Sequence, residues 1–191
     1  ILGDAGLHRS NPRLERFVGV PRQTAPARFM AEALAGKVEL LKETTVTALL
    51  RHGPGWQLQT VEAGRLETVF DAVLLTVPAP QAAPLLQPVA AQLATLAASA
   101  NMRGCWALML RFAAAVALPF DAAFVNHGPL RWIARDSSKP GRPGPETWLL
   151  HARAEWSEPH LEDTPASVAA TLIQAFRDLG AHGELQPGFG D

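Results

Sequence analysis

The chain has 191 residues, 48% of them hydrophobic and 18% charged, which describes a globular protein with a sizeable core and excludes a disordered one. Lys and Arg (17) balance Asp and Glu (18), so neither nucleic acid nor an anionic membrane is expected as a partner, and no apolar run approaches the ~20 residues of a membrane helix. The single cysteine, Cys105, allows no internal disulfide and makes a reducing cytoplasm the expected compartment.

The sequence opens at Ile1 with no basic region followed by an apolar core, and closes on Gly188-Phe189-Gly190-Asp191 without an ordered element; an internal fragment is expected. Gly3 and Gly6 resemble a dinucleotide loop only superficially, because no strand precedes them and Asn11-Pro12 interrupts any helix that should follow. Phe17-Val18-Gly19-Val20 could form a short strand. Thr24 then reads as an N-cap with Pro26 in the first turn; Phe29, Met30, Ala33 and Leu34 form one stripe, and Gly36 ends the helix.

From Lys37 to Gln81 a first apolar strand leads into a polar hairpin. Trp56, Leu58 and Thr60 alternate with Gln57 and Gln59, which predicts a strand with one wet face. Val69 and Phe70 bring the chain back, and the apolar run Ala72–Val77 predicts a strand buried on both faces until Pro78-Ala79-Pro80 ends it. Val89, Leu93, Leu96, Ala97 and Ala100 recur at helical spacing.

Cys105–Phe112 alternates, with Trp106, Leu108, Leu110 and Phe112 on one face and Cys105, Ala107, Met109 and Arg111 on the other. Strands are predicted at Ala122–Asn126, Leu130–Arg135 and Thr147–Arg153, with Ser137–Glu146 as loop. Thr164-Pro165 opens a last helix whose buried face is Val168, Leu172, Phe176 and Leu179, closed by Gly180. The second half is therefore α+β, an antiparallel sheet with covering helices, and 37–81 belongs to a different, α/β layer.

The chemistry in these elements is sparse. The six histidines are scattered, so no metal site is expected. His151 is a possible acid or base and Cys105 a possible nucleophile, but each alternates with apolar residues as a structural side chain does. The loop cations Lys139 and Arg142 could meet phosphate or simply be solvated. Trp106, Trp132 and Trp148 lie on apolar alternations; if these faces coincide they form an aromatic wall, for core packing or for a flat ring ligand.

Taken together, FVGVPRQTAPARFMAEAL, the hairpin ending in FDAVLLTVPAPQAAPLL, MRGCWALMLRF, GPLRWIARDSSKPGRP and TWLLHARAEWS resemble the bacterial renalase-like NAD(P)/FAD-dependent oxidoreductases of the flavin-containing amine oxidase superfamily, from about Phe17 to Leu179. The resemblance implies a FAD-dependent enzyme taking hydride from a reduced nicotinamide-type or amine substrate and passing electrons to oxygen. It implies residues 1–36 as the N-terminal part of a substrate domain, 37–81 as part of the FAD domain and 82–191 as the main substrate domain. Val46 would lay its backbone against the adenine, and Thr76, Val77 and Pro78 would form the crossover between domains. Trp106, Trp132, Trp148 and His151 would lie near or behind the isoalloxazine.

The family's opening GxGxxG turn and closing Gly-Asp-Trp signature are not in this sequence, so it matches the central portion. These residues alone are then expected to bind no flavin, and strand edges within 37–81 to invite self-association. The rival readings are a ligand-binding or dimerisation module without cofactor, and a hydrolase using His151 or Cys105.

Overall fold

The computed structural model describes residues 2–3, 6–7, 17–20 and 25–185. In chain order the elements are β1 (Leu2–Gly3), β2 (Gly6–Leu7), α1 (Ala25–Ala33), β3 (Val46–His52), β4 (Gly55–Thr60), β5 (Gly64–Arg65), α2 (Ala79–Leu86), α3 (Ala91–Ala98), β6 (Ala107–Phe112), β7 (Ala122–Phe124), β8 (Leu130–Arg135), β9 (Glu146–Ala152), α4 (Ala154–Ser157) and α5 (Pro165–Asp178). The architecture is α+β with antiparallel sheets, as expected. Two compact units divide it, one from Leu34 to Met102 and one combining Ile1–Ala33 with Arg103–Asp191.

The expected cap Thr24 lies outside the described residues. The helix it would open is present, and Gly36 lies beyond it at φ +75°, as a left-handed stop requires. Its stripe is not buried: Phe29, Met30 and Leu34 are all exposed.

In the Leu34–Met102 unit, β3, β4 and β5 form an antiparallel sheet in that order, with α2 against α3 and β3. Leu49, Ala82 and Ala94 are its buried apolar residues. The return at Val69-Phe70 is real, since Trp56 and Phe70 exchange two backbone hydrogen bonds of 2.8 Å. The approach is so close that a Cβ on Gly55 would sit 2.8 Å from the Phe70 carbonyl oxygen.

Three expectations here are corrected. The face of β4 expected to be wet holds the buried Gln57, whose Nε2 donates to the carbonyls of Leu66 (3.2 Å) and Glu67 (3.3 Å) while Leu58 stays half-exposed. Its amide satisfies loop carbonyls that would otherwise be orphaned. Second, Ala72–Val77 pairs with no strand among the described residues and is largely exposed, Leu74 at 84%. Third, α3 buries the small Ala94 and leaves Leu93 and Leu96 outside.

In the other unit the sheet order is β6-β9-β8-β7, antiparallel throughout. Alternation works here as the sequence predicts: Leu110, Phe112, Trp148, Leu150, Ala152, Ile133 and Ala123 point to one face and are buried. The helix α5 supplies Val168, Leu172 and Phe176 to the same core. Thr164 caps it, its hydroxyl accepting from the Ser167 amide at 3.3 Å, and Gly180 follows at φ +93°. The Phe176 ring tilts against Trp148 at 5.1 Å and Phe112 at 6.3 Å between centroids.

Two contacts pin α4 to the approach of β6. The buried Ser157 hydroxyl accepts from the Trp106 amide at 3.1 Å, and the Arg103 guanidinium forks onto Glu158 (2.9 and 2.7 Å) while also reaching Glu155.

Two outcomes test this packing. Phe176→Ala should cost about 3–5 kcal/mol, the usual price of an aromatic-sized void, read as a lower urea midpoint with unchanged slope. The second concerns acid. The hydrogen bond from Arg103 is the main cause that holds the Glu158 carboxyl below its ordinary 4.5. A depressed folded value means the stabilisation is present above about pH 4.5 and is lost as pH falls through the lower folded value. Wild type should therefore lose more stability than Arg103→Gln between about pH 5 and pH 3; parallel unfolding midpoints across that range would show the fork to be without effect.

Candidate functional site

Strand register decides which side chains can act together, because directly paired residues share a face. One row crosses the whole four-stranded sheet: Ala107 pairs with His151, His151 with Trp132, and Trp132 with Phe124. The face is the one that α5 does not cover. The next row, Met109, Leu149, Ala134 and Ala122, is apolar, and Met109 is 82% exposed.

Within the first row the Phe124 and Trp132 rings lie 4.6 Å apart at 54°, Phe124 being exposed and Trp132 half-buried. Arg131 sits at an irregularity of β8, between Leu130 and Trp132, and its guanidinium reaches 5.6 Å from the Phe124 centroid. Asn126 Oδ1 accepts from it at 3.4 Å. His151 is half-buried, with the small Ala107 beside it. Among the described residues neither the His151 ring nor the Trp132 indole N–H makes a hydrogen bond.

The other two tryptophans do not join this row, so the aromatic wall is not formed. Trp148 is buried in the core against Phe176, and its indole N–H donates to Glu146 Oε1 at 2.8 Å. Trp106 packs on the core side, and its indole N–H donates to the His160 carbonyl at 2.9 Å. Cys105 is exposed, its thiol donating to the Ala152 carbonyl at 3.3 Å. Among the described residues its hydrogen-bond partners are backbone carbonyls, with no base among them.

Behind the row an ion pair fixes the sheet's end. Glu146 Oε1 accepts from Arg135 Nη1 at 2.6 Å and from the Val116 amide at 3.3 Å, in addition to Trp148. Arg135 Nη2 donates to the carbonyls of Val116 and Leu118, each at 3.2 Å, and its guanidinium lies 4.8 Å from the Trp148 centroid. Both side chains are nearly buried, so every hydrogen bond in this set offsets a desolvation cost.

The basic loop has its own counter-charge. Lys139 Nζ (2.7 Å) and Arg142 both hold Asp136 Oδ1. Burial raises the Asp136 carboxyl, and these two cations more than offset it, leaving it below its ordinary 3.8.

Elsewhere, Val46 begins β3, half-buried, at an edge of its sheet. Thr76, Val77 and Pro78 are exposed, and Pro78 is the N-cap of α2. Among the described residues no three His, Cys, Asp or Glu side chains cluster as metal ligands, and no helix is long and apolar enough to cross a membrane. Phe124, Arg131, Arg135 and Glu146 went unnoticed in the sequence. Phe124 could have been found, since a short strand paired next to Leu130–Arg135 brings an aromatic opposite Trp132.

No protein-family model matches the chain. Solved structures do match it in fold. A protein assigned as a protoporphyrinogen oxidase from Exiguobacterium sp. 255-15 superposes with a TM-score of 0.64 at 19% identity, over 84% of this chain and 37% of that one. A putrescine oxidase redesigned for cofactor binding, a triple mutant, gives 0.60 at 15% identity, over 80% of this chain and 34% of that one. The chain thus spans about a third of the length of the structures it matches, and at these identities the likeness is one of fold alone.

Proposed function

We propose that this chain is the central portion, chiefly the substrate domain, of a FAD-dependent oxidoreductase of the flavin-containing amine oxidase superfamily, of the renalase-like kind. The observation that carries the reading is the row His151, Trp132 and Phe124 on the face of the sheet left by α5, in a fold shared with parts of two oxidases. The covered share of those structures supports a larger parent.

Whether these residues suit FAD can be judged at Val46. The Thr45 carbonyl accepts from the Val61 amide at 3.0 Å, toward β4. Adjacent residues of a strand point their backbone groups to opposite sides, so those of Val46 turn to the free edge of β3. An unpaired amide and carbonyl on an edge strand suit an adenine rim, which offers both a donor and an acceptor. When bound, FAD would supply the redox chemistry, accepting hydride from substrate and passing electrons to oxygen.

The chain's own residues orient the substrate and exclude water. Trp132 and Phe124 offer ring surface to a flat or apolar group. His151 and the Trp132 N–H offer uncommitted polar atoms that can fix its heteroatoms. Trp148 and Glu146 act from behind, holding β9 in register. Thr76, Val77 and Pro78 lie exposed within the Leu34–Met102 unit, where they would meet the cofactor in the parent. The resemblance favours a reduced nicotinamide-type ring or an amine as hydride donor, and the single cysteine favours a reducing cytoplasm.

The test is to express the complete reading frame and record its visible spectrum. Flavin bands and heat-released FAD are expected, with peroxide formed on turnover; His151→Ala and Trp132→Ala should each lower kcat/KM about tenfold, ~1.4 kcal/mol of transition-state binding, at unchanged flavin content. A colourless, well-folded full-length protein would overturn the proposal. Residues 1–191 alone are expected to purify without flavin.

A further inference from the structure

We infer that the ligand of this row is a planar ring bearing an anionic group within about a ring's breadth of its stacked face, and not a cationic amine. The inference rests on the reading of the row as the substrate surface, and three features of the surface point the same way.

The first is shape. Phe124 and Trp132 lie 4.6 Å apart and are both accessible, so they present contiguous ring surface, which favours a flat partner of one or two fused rings over a flexible aliphatic chain. The second is hydrogen bonding. The indole N–H of Trp132 can only donate, and a neutral imidazole at His151 adds one donor and one acceptor. Neither is engaged within the described protein, so the row has more to give to an acceptor-bearing ring than to an ammonium, which can only donate.

The third is charge. Arg131 is exposed and sits 5.6 Å from the Phe124 centroid, steadied by Asn126. It already occupies the cation site that the ring would otherwise present to an ammonium group. No residue of the four strands that shares the row's face is acidic. The one carboxylate on those strands, Glu146, pairs across to Phe112 on the core side and is held by Arg135 and Trp148. On these strands an incoming ammonium would therefore meet a like charge and no acidic side chain, whereas a carboxylate or phosphate would find a guanidinium.

Ring-matched probes of opposite charge separate these cases on the complete protein by titration calorimetry. 2-Naphthoate should bind at least fivefold more tightly than 2-naphthylmethylamine, and 2-naphthyl phosphate shows whether carboxylate or phosphate is preferred. Arg131→Gln, an exposed substitution, should weaken naphthoate at least fivefold and leave the amine unchanged or improved; Trp132→Phe should weaken both. Equal or tighter binding of the amine, indifference of naphthoate to Arg131→Gln, or no binding of any probe would overturn the inference. The readout does not depend on flavin. A colourless protein that still prefers naphthoate ends the oxidoreductase reading alone, and a flavin-loaded protein that prefers the amine ends this inference alone.

Discussion

The packing of α5 onto one side of the four-stranded sheet is the constraint from which the rest of that unit follows. Val168, Leu172 and Phe176 recur at helical spacing and meet strands whose side chains alternate with period two, so only one face of the sheet can be sealed. Trp148, Leu150 and Ile133 go inward, and their neighbours along each strand, Leu149, His151 and Trp132, must go the other way. Each of those inner side chains stabilises the fold by about 1.5–3 kcal/mol on burial. His151 and Trp132 are therefore held on the second face by residues that never touch a ligand. A one-residue slip would invert both sets at once, which is why the register is firm.

The charged groups reinforce that arrangement instead of performing chemistry. Glu146 sits at the start of β9, and the Val116 amide and Arg135 guanidinium from other segments converge on it with the indole of Trp148 from its own strand. A nearly buried carboxylate is costly unless satisfied, and here it is satisfied repeatedly. The same logic neutralises the loop cations Lys139 and Arg142 on Asp136. Near the aromatic row Arg131, exposed and held by Asn126 and the Phe124 ring, makes no ion pair among the described residues. Spent charges build the frame, and unspent ones mark the surface.

The second unit of the sequence was legible to a degree that the first was not. The strands expected at 105–112, 130–135 and 147–153 form at 107–112, 130–135 and 146–152, and these and the α5 face could be read because alternation and helical spacing there coincide with burial. Single-strand alternation cannot say which face of one strand joins which face of the next. Trp106, Trp132 and Trp148 looked equivalent in the sequence, yet Trp132 ends up opposite to the other two, partly because β8 shifts register between Leu130 and Trp132. The site row is a product of pairing, and pairing is non-local. Gln57 misled for another reason: its amide is buried by loop carbonyls that no local pattern announces.

The run Ala72–Val77 carries the last lesson. Composition alone predicted a strand buried on both faces, and the segment is indeed extended in the alternation of its exposure, Val73 and Leu75 half-buried and Ala72, Leu74 and Thr76 exposed. What it lacks is a neighbour. Apolar side chains reward burial wherever cover exists, but a strand also needs a hydrogen-bonding partner for its backbone, and within the described residues none lies beside this one. Its pattern thus records a requirement that the contacts of its own unit do not meet. Five apolar residues in a run of six, with Leu74 84% exposed, are costly to leave in water at ~25 cal/mol per Å² of apolar surface. An apolar run thus reports a demand for side-chain cover, whereas a strand also needs a backbone partner, which composition cannot supply.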